Sequence, residues 1–337
     1  MSGPRVVAPG KLMLAGEYSV LLPNGVAWAL AIPLGVEVEV TPSPRWKLVR
    51  EDLALTWTEG DPRVPEALRF AHTAMALTRE RLDLAPQRLS MRPRAGVETG
   101  ARKPGVGGSA AICAAICAVL HTIDDDALDE RRDTIFEAAL EAHRTAQGGR
   151  GSGYDVATVV YGDLTVFHSA SPEAPACARA LPWPTGLYAL AGSAGSGANT
   201  RSLLGRLEAR HADDPLKVQA ALQELAKPVV DLEAIFKNHA ITELFAALST
   251  CQQALERFDR ELSLGVITPA ITRLLEIAAH EGVTAKVSGA GGGDSVIALS
   301  DNPEQLQRLT RAWRETGFGV HSLRPAPGIA LHPVTAR

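Results

Sequence analysis

Aromatic residues make up only 5% of this 337-residue chain, and only four residues are cysteine. So few aromatics leave little for the exposed aromatic platform of a carbohydrate-binding surface. A core must come from aliphatic side chains, for which a hydrophobic content of 46% is ample. The cysteines, Cys113, Cys117, Cys177 and Cys251, contain no Cys-x-x-Cys pair, and the expectation is reduced, buried thiols. No apolar run reaches the roughly 20 residues that span a bilayer; the longest cover 110–120 and 242–248. Excess positive charge is also missing, since 34 Lys plus Arg against 38 Asp plus Glu gives a net charge of −4. Neither nucleic acid nor a membrane surface is then an expected partner, and any anionic ligand must be held locally. The N-terminus runs from Met1-Ser2-Gly3-Pro4-Arg5 into strand-like Val6-Val7-Ala8 without a signal-peptide pattern, so a cytoplasmic location is expected. Internal repeats are absent.

What is present is an alternation of strand and helix signals. Residues 34–40 alternate apolar and acidic side chains, the period of a strand with one face on a core. Helical patterns cover 65–82, 109–121 and 128–147, followed by a strand at 164–167; the acidic run Asp124, Asp125 and Asp126 reads as a solvated turn. Four prolines within 171–184 interrupt both periodicities. The domain boundary is expected there, dividing 1–183 from 184–337. The second half opens on a strand at 187–191, continues through helices over 200–282, and closes on a strand, helix, strand, strand series. This mixture predicts a two-domain α+β chain rather than a parallel sheet built of strand-helix repeats.

Four small-residue clusters carry the chemistry. Pro9-Gly10-Lys11 reads as a hairpin between two short apolar runs, with Lys11 either a solvated strand-end charge or a functional cation. Gly105-Val106-Gly107-Gly108-Ser109 opens a helix, so its backbone N–H groups stand at the positive end of a helix dipole and suit a phosphate. The competing reading is a flexible loop with Ser109 as the N-cap. It is not a Walker A loop, which needs Gly-Lys-Ser/Thr where Gly108-Ser109-Ala110 stands; 192–197 fails too, with Ala198 at the lysine position. A Rossmann fingerprint lacks its strand and acidic residue. Gly151-Ser152-Gly153-Tyr154-Asp155 offers a carboxylate that is either a helix cap or a site group. The last cluster, Lys286-Val287-Ser288-Gly289-Ala290-Gly291-Gly292-Gly293-Asp294, reads as a loop before a strand at 296–299. So many small residues in one loop cost unfolded-chain entropy, and close packing against a ligand or another loop gives the reason.

In this order and spacing the clusters resemble the motifs of the GHMP kinases, the superfamily of galactokinase, homoserine kinase, mevalonate kinase and phosphomevalonate kinase. Residues 9–18 are similar to its first motif, 104–111 to its second and 286–294 to its third. The likeness is greatest to phosphomevalonate kinases, through Ala15-Gly16-Glu17-Tyr18, through 288–294 and through Ser152 with Asp155 three residues on. Ala198-Asn199-Thr200 and Arg311-Ala312-Trp313 extend it over nearly the whole chain. The resemblance implies a ribosomal-protein-S5-like N-terminal domain and a ferredoxin-like α+β C-terminal domain. It implies ATP, Mg²⁺ and a small-molecule acceptor, with 5-phosphomevalonate converted to 5-diphosphomevalonate; mevalonate or another GHMP acceptor, and a non-catalytic nucleotide-binding relative, are the alternatives.

Site residues follow from the same resemblance. Lys11, Asp155 and Ser109 are the implied catalytic residues, Ser109 also the metal ligand. Gly105, Val106, Gly107, Gly108, Ser109 and Ala110 face the nucleotide. On the acceptor side stand Lys11, Glu17, Tyr18, Arg150, Gly151, Ser152, Ser288, Gly289, Ala290, Gly291, Gly292 and Asp294. Two departures from the pattern stand out: Gly108 replaces the first Ser of Gly-Leu-Gly-Ser-Ser-Ala, and Arg144 stands at the spacing of the acidic Mg²⁺ ligand of mevalonate kinases, with Glu141 and His143 out of register. An alcohol acceptor needs Asp155 as a base. A phosphate acceptor is already ionised, and Asp155 is then assigned to orienting Lys11.

Overall fold

The computed structural model describes residues 3–94, 107–124, 127–195, 200–238, 240–292 and 295–332. The first half contributes β1 (Arg5–Ala15), β2 (Val26–Pro42), β3 (Lys47–Arg50), β4 (Leu55–Thr58), α1 (Arg69–Leu82), β5 (Gln87–Pro93), α2 (Gly108–His121), α3 (Arg132–Ala146), α4 (Tyr154–Tyr161), β6 (Leu164–His168) and β7 (Cys177–Leu181). The second contributes β8 (Tyr188–Ser193), α5 (Thr200–Asp213), α6 (Pro215–Val230), α7 (Leu232–Lys237), α8 (Ile241–Leu262), α9 (Pro269–His280), β9 (Thr284–Ser288), β10 (Ser295–Ser300), α10 (Pro303–Glu315), β11 (Gly319–Leu323) and β12 (Ala330–His332).

The first sheet runs β12-β1-β2-β5-β3-β4, and the other half of the long strand β2 pairs β6, which pairs β7. All of its pairings are antiparallel except β3 with β5. Helix α2 is buried on nearly every side because its sequence is apolar on every side, and it packs between this sheet and α1 and α3. The second sheet, β11-β8-β10-β9, is antiparallel throughout. With helices between its first two strands and α10 between its last two, it has the ferredoxin-like arrangement. The first sheet's strand β7 ends at Leu181 and the second sheet's β8 begins at Tyr188, while β12 returns to pair with β1.

Three local expectations are corrected. Pro9-Gly10-Lys11 is no hairpin but the middle of the continuous strand β1, whose register against β2 shifts between Ala8 and Gly10. A proline has no N–H for the ladder and sits at such a bulge. The extra residues of that bulge lie on β2, between Ile32 and Val36, where a Cβ on Gly35 would lie 1.9 Å from the Ala8 carbonyl oxygen. Residues 286–288 are not loop: they end strand β9. Cys113, Cys117 and Cys251 are buried as expected, but Cys177 is exposed on β7. Among the described residues no helix is long and apolar enough to cross a membrane.

Candidate active site

A cleft of about 480 Å³ lies where β1, the N-terminus of α2, the loop before α4 and the end of β9 meet. Lys11, Gly107, Gly108, Ser109, Arg150, Gly151, Ser152, Asp155, Ser288, Gly289 and Ala290 all line it, so part of each of the four sequence clusters converges there, whereas Ala110, Gly291 and Gly292 do not line it. Gly105, Val106, Gly293 and Asp294 lie outside the described residues.

At the α2 end the backbone is shaped by Gly107, which adopts φ +76° as the N-cap and offers no side chain to the first-turn N–H groups. Those groups and the helix dipole form a seat for an anion. Ser109 is therefore not the N-cap; its hydroxyl points to His143, with Oγ 3.1 Å from Nε2. The stem of Lys11 lies across Gly107, where a Cβ would come within 2.9 Å of Lys11 Cγ and Cε. Lys11 is only 9% exposed, which excludes the solvated strand-end charge. Its Nζ donates to Tyr154 Oη at 3.0 Å and lies 5.1 Å from the centre of that ring. Burial pushes the Tyr154 hydroxyl's pKa up while the Lys11 charge pulls against it, so the phenol stays protonated and accepts from the ammonium. Tyr154, the neighbour of Asp155, is thus a hydrogen-bond partner of the Lys11 ammonium.

Asp155 stands in the first turn of α4, with Gly153 rather than Asp155 as the N-cap. Its Oδ1 accepts from the N–H of Val156 at 3.0 Å, and its Oδ2 lies 3.7 Å from His143 Nε2. Ser109, His143 and Asp155 thereby share one corner of the cleft, and Gln147 Nε2 lies 3.2 Å from the same imidazole nitrogen. The sequence reading missed His143 because spacing led to Arg144. One residue along a helix turns the side chain by about 100°, and Arg144 donates instead to the carbonyls of Gly151 and Ser152, at 3.3 and 2.8 Å. The signal was there: His143 falls on the apolar face of α3 with Phe136, Ala139, Leu140 and Ala146.

Among the described residues no three His, Cys, Asp or Glu side chains gather to hold a metal. The Ser109 hydroxyl and Asp155 carboxylate fit a Mg²⁺ ion that takes its remaining ligands from phosphates and water, because Mg²⁺ prefers oxygen and keeps part of its hydration shell. At the cleft mouth Arg150 pairs with Glu208 of α5 at 3.5 Å, both side chains half exposed.

The remaining acceptor-side candidates face the second sheet. Glu17 Oε1 pairs with Lys286 Nζ at 2.5 Å, both side chains buried, and Lys286 also donates to the Val287 carbonyl at 2.6 Å. Ser288 Oγ donates to the carbonyl of Met13 at 2.8 Å, and Tyr18 Oη to that of Ala290 at 2.6 Å. Burial, reinforced by Asp259 and Glu17, holds the Tyr18 phenol far above its usual pKa, keeping it a donor. These three side chains, expected on the acceptor side, line the cleft but use these polar atoms to bind the last glycine cluster to β1 and the turn after it. Beneath that cluster Gly292 N–H donates to the Val266 carbonyl, and Asp259 accepts from the N–H groups of Gly265, Val266 and Ile267.

The sequence matches the family model described as GHMP kinases N terminal domain over residues 71–163 and that described as GHMP kinases C terminal over 232–318. A phosphomevalonate kinase of Streptomyces sp. (strain CL190) is 28% identical, the alignment covering 95% of this chain and 96% of the relative. A mevalonate kinase of Archaeoglobus fulgidus is 27% identical over 87% and 90%. Among solved structures, Streptococcus pneumoniae phosphomevalonate kinase in complex with phosphomevalonate and AMPPNP superposes with a TM-score of 0.78 at 21% identity, over 95% of this chain and 99% of that one; at that identity the likeness speaks for the fold.

Proposed function

This chain belongs to the GHMP kinases, and we propose that it transfers the γ-phosphoryl group of ATP to 5-phosphomevalonate, giving 5-diphosphomevalonate. The observation that carries the choice of acceptor is the charge balance of the cleft. Lys11, Arg69 and Arg150 line it, the two arginines paired with Glu66 and Glu208, which do not line it, while of its own two carboxylates Glu17 is neutralised by the buried Lys286, leaving Asp155. Two polyanions must meet in this space, and a cationic lining offsets their repulsion. The full-length likeness to a phosphomevalonate kinase supports the same reading.

In this mechanism the ATP phosphates lie against the N-terminus of α2, bonded by the N–H groups of its first turn. Lys11, held by Tyr154, places its ammonium between the two phosphates, where charge on the transferring group develops in line. Where Mg²⁺ is bound, Ser109 and Asp155 hold it, and it neutralises phosphate charge. Arg150 and Ser152 bind the acceptor's anionic end. The acceptor phosphate is its own nucleophile and needs no base. A second reading, phosphorylation of mevalonate with Asp155 as the base, draws on the Archaeoglobus mevalonate kinase likeness and on the His143 beside Asp155.

A coupled ADP-release assay against mevalonate, 5-phosphomevalonate, galactose and homoserine decides between them. The expected result is fastest turnover of 5-phosphomevalonate, abolished by EDTA and restored by divalent cation; faster turnover of mevalonate overturns the assignment.

A further inference from the structure

Asp259 is a carboxylate in the last turn of α8, where the negative end of the helix dipole favours a cation. It is 9% exposed, and the carbonyls at that end take their donors from α5 instead: Arg210 Nε donates to Leu262 at 3.0 Å and Arg206 Nη1 to Leu264 at 2.7 Å. Asp259 reaches past the end of its helix. Ser263 turns the chain back with φ +52°, and the carboxylate accepts from the N–H groups of Gly265 and Val266 through Oδ1, at 2.8 and 3.0 Å, and of Ile267 through Oδ2, at 2.9 Å. Three backbone donors on one buried carboxylate fix this turn closely, because a bond left unmade strands a polar group in a dry place.

What the turn carries is the last glycine cluster. The Val266 carbonyl accepts from the Gly292 N–H at 2.8 Å, and a Cβ on Gly291 would stand 2.7 Å from that oxygen and 2.5 Å from Val266 Cγ1, so backbone lies directly on the turn. Just before these glycines in the chain, Gly289 and Ala290 line the cleft. The cluster is also held by Tyr18, which donates to the Ala290 carbonyl and whose ring lies 5.3 Å from that of Phe258, the residue before Asp259. We propose that Asp259 is a positioning residue of the reaction: through the turn at 265–267 it sets where the wall of Gly289 and Ala290 stands against the acceptor. The proposal rests on the kinase reading, since only a bound acceptor gives that wall a partner.

The test compares the purified full chain with Asp259→Asn, which leaves one oxygen for three donors, and with Asp259→Glu, which keeps the charge and lengthens the side chain by one methylene. Leu309→Ala, a cavity in the same buried cluster as Phe258 that removes none of these hydrogen bonds, is the control for lost stability. In Asp259→Asn the KM for the acceptor that the wild type uses is expected to rise roughly ten- to hundredfold while kcat changes less than about threefold, because a displaced wall costs binding before it costs chemistry. Asp259→Glu shows the same split with a smaller rise, and Leu309→Ala lowers Tm with KM near the wild-type value. Hydrogen exchange, which needs no substrate, is expected to quicken at the Gly292 amide in both Asp259 variants. A folded Asp259 variant with wild-type KM or an unchanged Gly292 amide, or a Leu309→Ala protein with the same rise in KM, overturns the proposal, makes Asp259 a support of the fold alone and leaves the kinase reading standing. A wild type that phosphorylates none of the four acceptors overturns the kinase reading and the proposal with it.

Discussion

Lys11 illustrates how burial changes what a residue is. A surface lysine contributes little wherever it sits, but one that is 9% exposed, laid across Gly107 and tied to Tyr154 is a fixed point charge. Lys11→Met is expected to lower kcat by roughly 10²- to 10³-fold with a smaller change in KM, since the charge acts most strongly on the transition state. Lys11→Arg restores little, because a planar fork does not fit the same channel. Tyr154→Phe removes one hydrogen bond to a charged group and lowers kcat about tenfold. Steady-state kinetics with thermal melting as the folding control measure all three, and a Lys11→Met enzyme with wild-type kcat returns Lys11 to a structural charge. The sequence motif made Lys11 legible, because short spacing to glycines survives folding unchanged. It could not show Tyr154 as a hydrogen-bond partner: adjacent helical residues look alike in sequence and differ by about 100° in direction.

Among the elements, α2 was readable because an all-apolar helix behind a glycine cluster has only one place to go, a buried one ending at an anion seat. Strand β1 was not, because a bulge and a hairpin share Pro-Gly and only the partner strand tells them apart. Strand β9 was hidden by the small residues that follow it, which mask its alternation. Two neighbouring glycines at the start of α2 now separate into different kinds. A Cβ on Gly108 meets nothing within 4 Å, and its φ is not positive, so Gly108→Ser is expected to fold normally and to bind AMPPNP as tightly as the wild type or more so. One added hydrogen bond to a charged phosphate is worth at most about 1.5–3 kcal/mol. Gly107→Ser has the opposite outcome: φ +76° costs roughly 1–2 kcal/mol for an L side chain, and its Cβ displaces the stem of Lys11. Titration calorimetry and kcat on the pair check this, and equal behaviour of the two variants rejects the geometry given to the loop.

At the scale of the molecule the proline-rich break at 171–184 separates two sheets, each with a buried cluster of its own, but a third cluster ties them together. One buried cluster joins Leu12, Leu14, Trp28 and Leu30 of the first sheet to Leu187, Ala191, Leu248 and Ile297 of the second half, and Trp28 stacks on Phe236 of α7 at 4.8 Å. The Glu17–Lys286 pair, the Ser288–Met13 bond and the Tyr18–Ala290 bond cross the same boundary, and β12 returns to close the first sheet. Unfolding either half alone would expose the shared cluster and strand two buried charges, so the chain is expected to melt in one calorimetric transition. Lys286 is the position that reads this coupling. Truncation to Met leaves the Glu17 carboxylate buried without its cation, a loss of about 3–5 kcal/mol, whereas the double substitution Glu17→Gln with Lys286→Met removes the stranded charge and recovers part of it. Because the pair ties the last glycine cluster to the end of β1, Lys286→Met is also expected to raise KM for the acceptor while Tm falls, and the double variant to recover Tm more fully than KM. Differential scanning calorimetry and acceptor kinetics on the three proteins measure both. Two separate transitions, or a Lys286→Met protein with unchanged Tm, contradict a shared core held by a buried ion pair.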